Sequence, residues 1–212
     1  MDAIFAGTLF AKACRTGRWS KGQRGESGIR MLDWDFTLAD ADLHLEIARS
    51  EPLEVVMAPD LFIDTDVTWL LSLAQKLRRY VKRVVIPVHY VNQAVLESGF
   101  ELAYPLAAEM SRRGDFVGKG FSGWLGAIAG RVTHVLGGAP HHQMRMACYF
   151  PNLCSVDGNG LFQAATRYGS FWAGRWVMPF RERMEPRPSC EEAFRRSVAN
   201  VDRFWREWLG RD

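Results

Sequence analysis

The sequence predicts an α/β protein in which short parallel strands alternate with amphipathic helices. Seven or eight short apolar runs, separated by helical patterns, extend almost throughout the 212 residues, as expected for repeated strand–helix units. Several runs end abruptly in a glycine or aspartate turn, which is typical of a buried parallel strand that opens onto a loop at its carboxyl end. The number of units favours a compact (β/α)8 TIM-type barrel, possibly trimmed, over an open doubly wound sheet. A GxGxxG motif after the first run is missing, which weakens the dinucleotide-binding alternative.

The predicted strands are apolar runs bounded by glycine, proline or aspartate. Such runs match the residue preferences of buried strands in length and composition. In chain order they are Ala3–Gly7, Gly28–Asp33, Leu53–Asp60, Arg83–His89, Phe116–Phe121, Thr133–Gly137 and Leu153–Asp157, with a weaker eighth at Trp176–Phe180.

The intervals between these runs repeat apolar residues at helical spacing. Asp66 is a good N-cap for the helix that follows it. A C-terminal amphipathic helix is predicted over Glu191–Leu209, with an apolar face that includes Val198, Val201 and Trp205. The remaining predicted helices are Ala39–Arg49, Asp66–Tyr80, Tyr104–Arg112, Gly123–Arg131, His142–Phe150 and Gly160–Phe171.

Composition indicates one globular domain over residues 1–212, since 48% of the residues are hydrophobic and 24% are charged. We expect a cytoplasmic protein without a membrane partner. Apolar runs stay well below the roughly 18 residues of a membrane span, and the N-terminus does not resemble a signal peptide. The four cysteines lack metal-binding spacing, so we do not expect a structural zinc site. We predict no resident metal and no cofactor.

A basic segment between Lys12 and Arg30 carries six basic residues, one acidic residue and Trp19. Basic and aromatic residues in a glycine-containing loop suit a nucleic-acid backbone. The alternative is an ordinary solvated loop. The candidate phosphate contacts are Arg15, Arg18, Lys21 and Arg24, together with Arg167 on a later helix, for which a structural salt bridge is the alternative.

Three aspartates end predicted strands: Asp33, Asp60 and Asp157. Carboxyl ends of parallel strands meet at one side of a barrel, where such enzymes keep their active sites. The carboxylates, with His89, could hold a divalent metal. Alternatively, one carboxylate attacks an anomeric carbon, a second moves protons and a third binds a base. Helix capping is the alternative without function.

Five motifs in order resemble those of the tRNA-guanine transglycosylases. They extend over roughly two thirds of the chain, from about Gly28 to Trp172, and each is short. The motifs are Arg30-Met-Leu-Asp33, Val55-Val-Met-Ala-Pro-Asp60, Phe116-Val-Gly-Lys-Gly-Phe-Ser-Gly123, Thr133-His-Val-Leu-Gly-Gly-Ala-Pro140 and Ser155-Val-Asp-Gly-Asn159.

The resemblance implies a base exchange through a covalent intermediate, without a cofactor. Asp157 would be the nucleophile that attacks C1′ of a guanosine, and Asp33 would handle the proton of the leaving or incoming base. Asp60 would accept hydrogen bonds from the guanine N1–H and amine. Backbone groups of Gly118, Lys119 and Gly120 would read the carbonyl edge.

Other positions complete the implied pocket. The Gly137–Gly138 turn would leave room for a base or sugar, and His89 stands near the place where the family carries a glutamine. After Asp33 the family has Ser-Gly, whereas this chain has Trp34-Asp-Phe36.

The implied substrate is DNA rather than tRNA. The Ser-Val-Asp form is closer to the relatives in phages and bacteria that install 7-deazaguanines in DNA, and the zinc-binding insertion of the tRNA enzymes is missing. The partners would be guanine-containing DNA, or RNA, and a 7-deazaguanine such as preQ0 or preQ1. Two alternatives remain: a non-catalytic nucleic-acid or base-binding barrel, and a metal-dependent hydrolase that uses the same aspartates with His89.

Overall fold

The computed structural model describes residues 2–3, 11–15, 29–106, 121–158 and 160–209. Eight of the described strands are parallel and form one sheet in the order β1-β8-β7-β6-β5-β4-β3-β2. They are β1 Asp2–Ala3, β2 Ala11–Arg15, β3 Ile29–Asp33, β4 Val55–Met57, β5 Arg83–Pro87, β6 Glu101–Pro105, β7 Val132–Leu136 and β8 Ser155–Val156. A separate antiparallel pair consists of β9 Phe171–Trp172 and β10 Trp176–Val177.

The sheet is an open half-barrel, so the predicted closed eight-stranded (β/α)8 barrel is wrong. Six of these parallel strands form the curved part of the sheet, which curls through 227° and leaves open edges 11 Å apart. At the ends of the larger sheet, β1 pairs with β8 and β2 pairs with β3, while the described residues show no ladder between β1 and β2. Closure of a barrel requires a continuous ladder around the axis. The alternating α/β character of the chain is as predicted.

Seven helices follow the strands in the described part of the chain. Aspartates outside the candidate site cap two of them, because Asp40 accepts a hydrogen bond from Leu43 N and Asp66 accepts from the backbone of Thr68 and Trp69. The helices are α1 Ala41–Ser50, α2 Val67–Leu77, α3 Gln93–Glu97, α4 Phe121–Ile128, α5 Pro140–Ala147, α6 Gly160–Tyr168 and α7 Cys190–Leu209.

Alternation along the strands separates two faces of the sheet. One face packs against the helices and contributes most of the core, including Leu32, Val56 and Ile86. The concave face carries a smaller apolar cluster formed by Met31, Val55, Met57, Val85 and Ala103. The period of two in a strand explains the division, since Val55 and Met57 point away from Val56.

Two strands of the main sheet were not predicted. Strand β6 occupies Glu101–Pro105, where a helix was expected from Tyr104 onward. Leu102 and Tyr104 are both fully buried in the helix-side core, while Ala103 faces the concave side. Strand β2 occupies Ala11–Arg15, within the segment predicted as a basic loop.

Other predicted elements differ in place. Residues 116–120 of the predicted strand Phe116–Phe121 lie outside the described residues, and Phe121 begins α4. The weak strand Trp176–Phe180 exists only as β10, which pairs with β9 and not with the main sheet.

The predicted C-terminal helix is confirmed as α7. It buries Val198, Val201 and Trp205 against the main core. Ser197 Oγ accepts a hydrogen bond from Trp172 N at 2.9 Å, which fastens α7 to β9. None of the described helices combines the length and the apolar character that a membrane span requires.

A buried histidine joins α1 to the sheet. His44 Nε2 donates to the Met57 carbonyl at 3.0 Å, and the ring lies edge-on to Trp34. Burial lowers the pKa of His44 to about 4, although the hydrogen bond to Met57 opposes that shift. Between about pH 4 and 6.5 the histidine is therefore mostly neutral in the folded protein, whereas it would be mostly protonated in an unfolded chain.

We expect His44→Gln to reduce the loss of stability on acidification. Between pH 6.5 and 4 the unfolded state binds a proton at His44 that the folded state rejects, so the free energy of unfolding falls as the pH falls, by about 3 kcal/mol for this group. Glutamine can still donate to Met57 but does not titrate. Urea denaturation at pH 7 and pH 4 measures the difference. Identical losses in wild type and His44→Gln would contradict the assignment.

Candidate functional site

Asp157 lies immediately after β8, at the carboxyl edge of the sheet, and its side chain is only 10% exposed. The backbone N–H of Gly137 donates to its Oδ1 at 2.6 Å. The backbone N–H of Asp157 in turn donates to the Val135 carbonyl at 3.1 Å. None of the described residues donates a hydrogen bond to the other oxygen, Oδ2. The two oxygens of this carboxylate therefore differ in hydrogen bonding: Oδ1 is held by Gly137 N–H, whereas Oδ2 accepts no hydrogen bond from the described residues.

Gln143 holds together the loops that follow β7 and β8. Its side-chain amide donates to the carbonyl of Gly137 at 2.9 Å and to that of Asp157 at 2.5 Å. The residue is 1% exposed and lies in the first turns of α5. Since a buried amide with two partners has few alternative positions, Gln143 fixes the backbone on both sides of the carboxylate.

The Gly137–Gly138 turn has left-handed backbone conformations, with φ of 73° and 84°. Such angles favour glycine at both positions. A Cβ atom on Gly138 would also lie 2.5 Å from the Leu106 side chain. Leu106 occupies the side of Gly138 on which a Cβ would project, and the turn brings Gly137 N–H onto Asp157.

A line of polar side chains runs along the concave face beneath Asp157. Arg83 forms an ion pair with Glu101 at 2.9 Å and also donates to Ser155 Oγ at 3.2 Å. Thr133 Oγ1 donates to Glu101 at 2.6 Å. Burial alone would raise the pKa of Glu101, but the hydrogen bonds from Arg83 and Thr133 and the charge of Arg83 hold that pKa below its ordinary value.

His134 is the end of this line nearest to Asp157. Its side chain is fully buried, its Nδ1 lies 2.9 Å from Ser155 Oγ, and its Nε2 lies 3.5 Å from Asp157 Oδ1. An irregularity in β7 brings the ring to the concave face. Leu102 pairs with Val132 while Ala103 pairs with His134, so Thr133 is an extra residue in the ladder.

A second carboxylate–histidine pair lies at the same edge of the sheet. His89 Nε2 is 2.7 Å from Asp60 Oδ2, and both side chains are 9% exposed. Phe62 stacks on His89 with 4.3 Å between the ring centroids. Asp60 and His89 follow β4 and β5, which are adjacent in the sheet, so the structure brings together these two predicted site residues.

The remaining predicted residues are distributed more widely. Asp33 ends β3, and its register partner on β2 is Arg15, which lies in a strand and not in a loop as predicted. Arg167 is exposed in the last turn of α6. The other predicted positions lie outside the described residues, and these are Arg18, Lys21, Arg24, Gly118, Lys119 and Gly120.

Helix capping does not account for the placement of Asp60 and Asp157. The helix after Asp60 is capped by Asp66, and among the described residues the hydrogen bond that the Asp157 side chain accepts comes from Gly137 in a neighbouring loop. These two carboxylates are held by groups from other strands, which is how a site is assembled from separate parts of the chain.

Sequence reasoning missed the roles of His134, Gln143 and Ser155. His134 lies within the motif Thr133–Pro140, but no role was predicted for it or for Gln143. The available signal was a histidine within the apolar run Val132–Leu136, because a histidine inside a buried strand needs polar partners. Among residues of known placement, no group of three or more histidines, cysteines or acidic residues could hold a metal ion.

Comparison with known proteins identifies one family model that matches residues 11–206, namely DUF6610, which is described as a family of unknown function. No curated protein and no solved structure matches the chain.

We expect Gln143→Glu to destabilise the folded protein. A glutamate would present oxygen atoms to the carbonyls of Gly137 and Asp157, leaving buried acceptors without a donor, at a cost of about 2 kcal/mol or more. Urea denaturation at pH 7 measures this loss. Gln163→Glu on α6 is the matched control, because the side-chain amide of Gln163 makes no hydrogen bond to a described residue. Equal stability of Gln143→Glu and wild type would contradict the role of Gln143 in holding the two loops together.

Proposed function

The chain belongs to the DUF6610 family, whose function is unknown, and we propose from its site that it is a base-exchanging transglycosylase. In this proposal the enzyme removes guanine from a polynucleotide, DNA rather than tRNA, and inserts a 7-deazaguanine. The sugar is held meanwhile as an ester of Asp157. The five motifs that resemble the guanine transglycosylases support this choice, and they include the three strand-end aspartates.

The observation that carries the proposal is the unequal hydrogen bonding of the Asp157 carboxylate. A nucleophilic carboxylate needs a fixed direction of attack and an oxygen that is not already occupied. Gly137 N–H holds Oδ1 at 2.6 Å, while Oδ2 receives no hydrogen bond from the residues whose positions are described. The fixed backbone on both sides, provided by Gln143, keeps the direction of Oδ2 constant.

The Asp60–His89 pair supports a base-recognition role at the same edge. His89 Nε2 lies 2.7 Å from Asp60 Oδ2 and fixes the orientation of this carboxylate, and a carboxylate can accept hydrogen bonds from two adjacent N–H donors. The N1–H and amine of guanine form such a pair of donors. Adenine offers no equivalent pair, so this recognition favours guanine.

The exchange has two steps. Oδ2 of Asp157 forms a bond to C1′ as the bond from C1′ to N9 of guanine breaks, and the electron pair goes to the base, which leaves with a proton. The incoming 7-deazaguanine then forms its bond to C1′ through N9 as the C1′–Oδ2 bond breaks and Asp157 recovers its electron pair. In this proposal Asp33 handles the proton, since it ends the strand next to β4 at the same edge.

We expect Asp157→Asn to abolish both the covalent adduct and the exchange, by at least about a thousandfold. The wild-type protein, incubated with guanine-containing DNA or RNA and a 7-deazaguanine, should show a shifted band on a denaturing gel and should exchange labelled guanine. Asparagine keeps an oxygen for Gly137 N–H but cannot form the ester. Asp64→Asn, at an exposed loop carboxylate, is the matched control and should behave like wild type.

Two outcomes would overturn the proposal. Nucleic-acid binding by the wild type without adduct or exchange would identify a base-binding module. Activity that requires an added metal ion and disappears with a chelator would identify a hydrolase.

A further inference from the structure

The tautomer of His134 follows from its neighbours on the concave face. Arg83 Nη2 donates to Ser155 Oγ at 3.2 Å, so the hydroxyl group accepts from Arg83 and has its own hydrogen left to donate. The closest acceptor is His134 Nδ1 at 2.9 Å, while the Thr133 carbonyl is 3.5 Å away. The shorter distance favours donation from Ser155 Oγ to Nδ1, and in a neutral imidazole the proton is then on Nε2.

The Nε2 proton of His134 points to Asp157. Nε2 is buried and forms no hydrogen bond with any described residue, and Asp157 Oδ1 lies 3.5 Å from it. Closure of the gap by about half an ångström would make an ordinary hydrogen bond. Because an unpaired buried donor is costly, a small movement that brings the two groups together is favourable.

We propose that His134 is a positioning residue that acts on Asp157 together with Gly137. The Gly137 N–H and the His134 Nε2–H form a two-donor cradle around Oδ1, which leaves Oδ2 as the only attacking oxygen. This inference rests on the proposed transglycosylase function. It adds a role for His134 that differs between the two steps of the exchange.

The cradle assists the second step more than the first. In the ester, Oδ1 is a weakly basic carbonyl oxygen, whereas in the departing carboxylate it shares a full negative charge. Donors to Oδ1 therefore stabilise the departing carboxylate more than the ester, and they speed cleavage of the C1′–Oδ2 bond. The same donors lower the nucleophilicity of the free carboxylate, so they do not speed formation of the ester.

The test is a comparison of His134→Phe with His134→Gln. Phenylalanine removes the donor and keeps a planar ring, whereas glutamine can place an amide N–H near the position of Nε2. We expect His134→Phe to slow exchange of labelled guanine about tenfold while the trapped adduct on a denaturing gel increases. His134→Gln should recover most of the rate. His141→Phe, at an exposed histidine, is the control and should resemble wild type.

Simple damage to the fold would give a different result, because it would lower the adduct and the exchange together. Adduct that declines in parallel with exchange in His134→Phe, or equally slow exchange in His134→Gln, would overturn the proposal. Thermal unfolding of each variant shows that the comparison is made between folded proteins.

A second measurement does not depend on activity. Nitrogen-15 NMR of the wild-type histidines should find the His134 proton on Nε2, with a shift that changes in Asp157→Asn. A proton on Nδ1, or no response to Asp157→Asn, would overturn the inference even if exchange were observed. Absence of exchange and adduct in the wild type would instead overturn the proposed function, and with it the catalytic part of this inference. The NMR result would still decide whether His134 donates toward Asp157.

Discussion

The Arg83 guanidinium spans the concave face of the sheet, and the site depends on that reach. Strand β5, which carries Arg83, is separated from β8 by β6 and β7. In a flat sheet β5 and β8 would be about 14 Å apart. Arg83 nevertheless donates to Ser155 at 3.2 Å while it pairs with Glu101 on β6. The contacts exist only because the sheet is strongly curled, and they in turn fasten the curled strands to one another.

Partial burial reduces the desolvation cost of this arrangement. The Arg83 and Glu101 side chains are 21% and 30% exposed, so neither charge bears the full desolvation cost of a deep interior. Ser155 Oγ contacts both Arg83 and His134, so it links the guanidinium group to the ring without adding a charge. The polar line therefore extends from a partly hydrated ion pair to a fully buried ring. It ends at the carboxylate that the proposed chemistry requires.

Much of this organisation could be predicted from local sequence. The runs ending at Asp33 and Asp157 are strands because buried parallel strands have a strong apolar signal, and α7 has a clear amphipathic pattern. Strand β6 was missed because Glu101 and Pro105 bound only three apolar residues. Closure of the sheet could not be predicted either, because it requires pairing between β1 and β2, which are the two end strands of the sheet.

The site was predictable in part and for similar reasons. Carboxylates at strand ends point to one edge wherever the strands are parallel, so Asp60 and Asp157 could be identified without knowing the curvature. The pairing of Asp60 with His89 follows from the adjacency of β4 and β5. A histidine in this apolar run indicated a need for polar partners, but its direction toward Asp157 could not be predicted, because regular alternation after Val132 would place that side chain on the helix side of the sheet.

The extra residue in β7 shifts by one position the alternation of side chains between the two faces of the sheet. Val132 and Val135 both lie in the helix-side core, although their spacing of three is incompatible with an uninterrupted strand. Two consecutive polar residues, Thr133 and His134, thereby face the same side. Deletion of Thr133 would restore regular alternation with His134 still paired to Ala103 and on the concave side, and it would remove the hydroxyl that donates to Glu101. The extra residue therefore adds a second polar side chain to the concave face, where it helps to hold the Glu101 carboxylate.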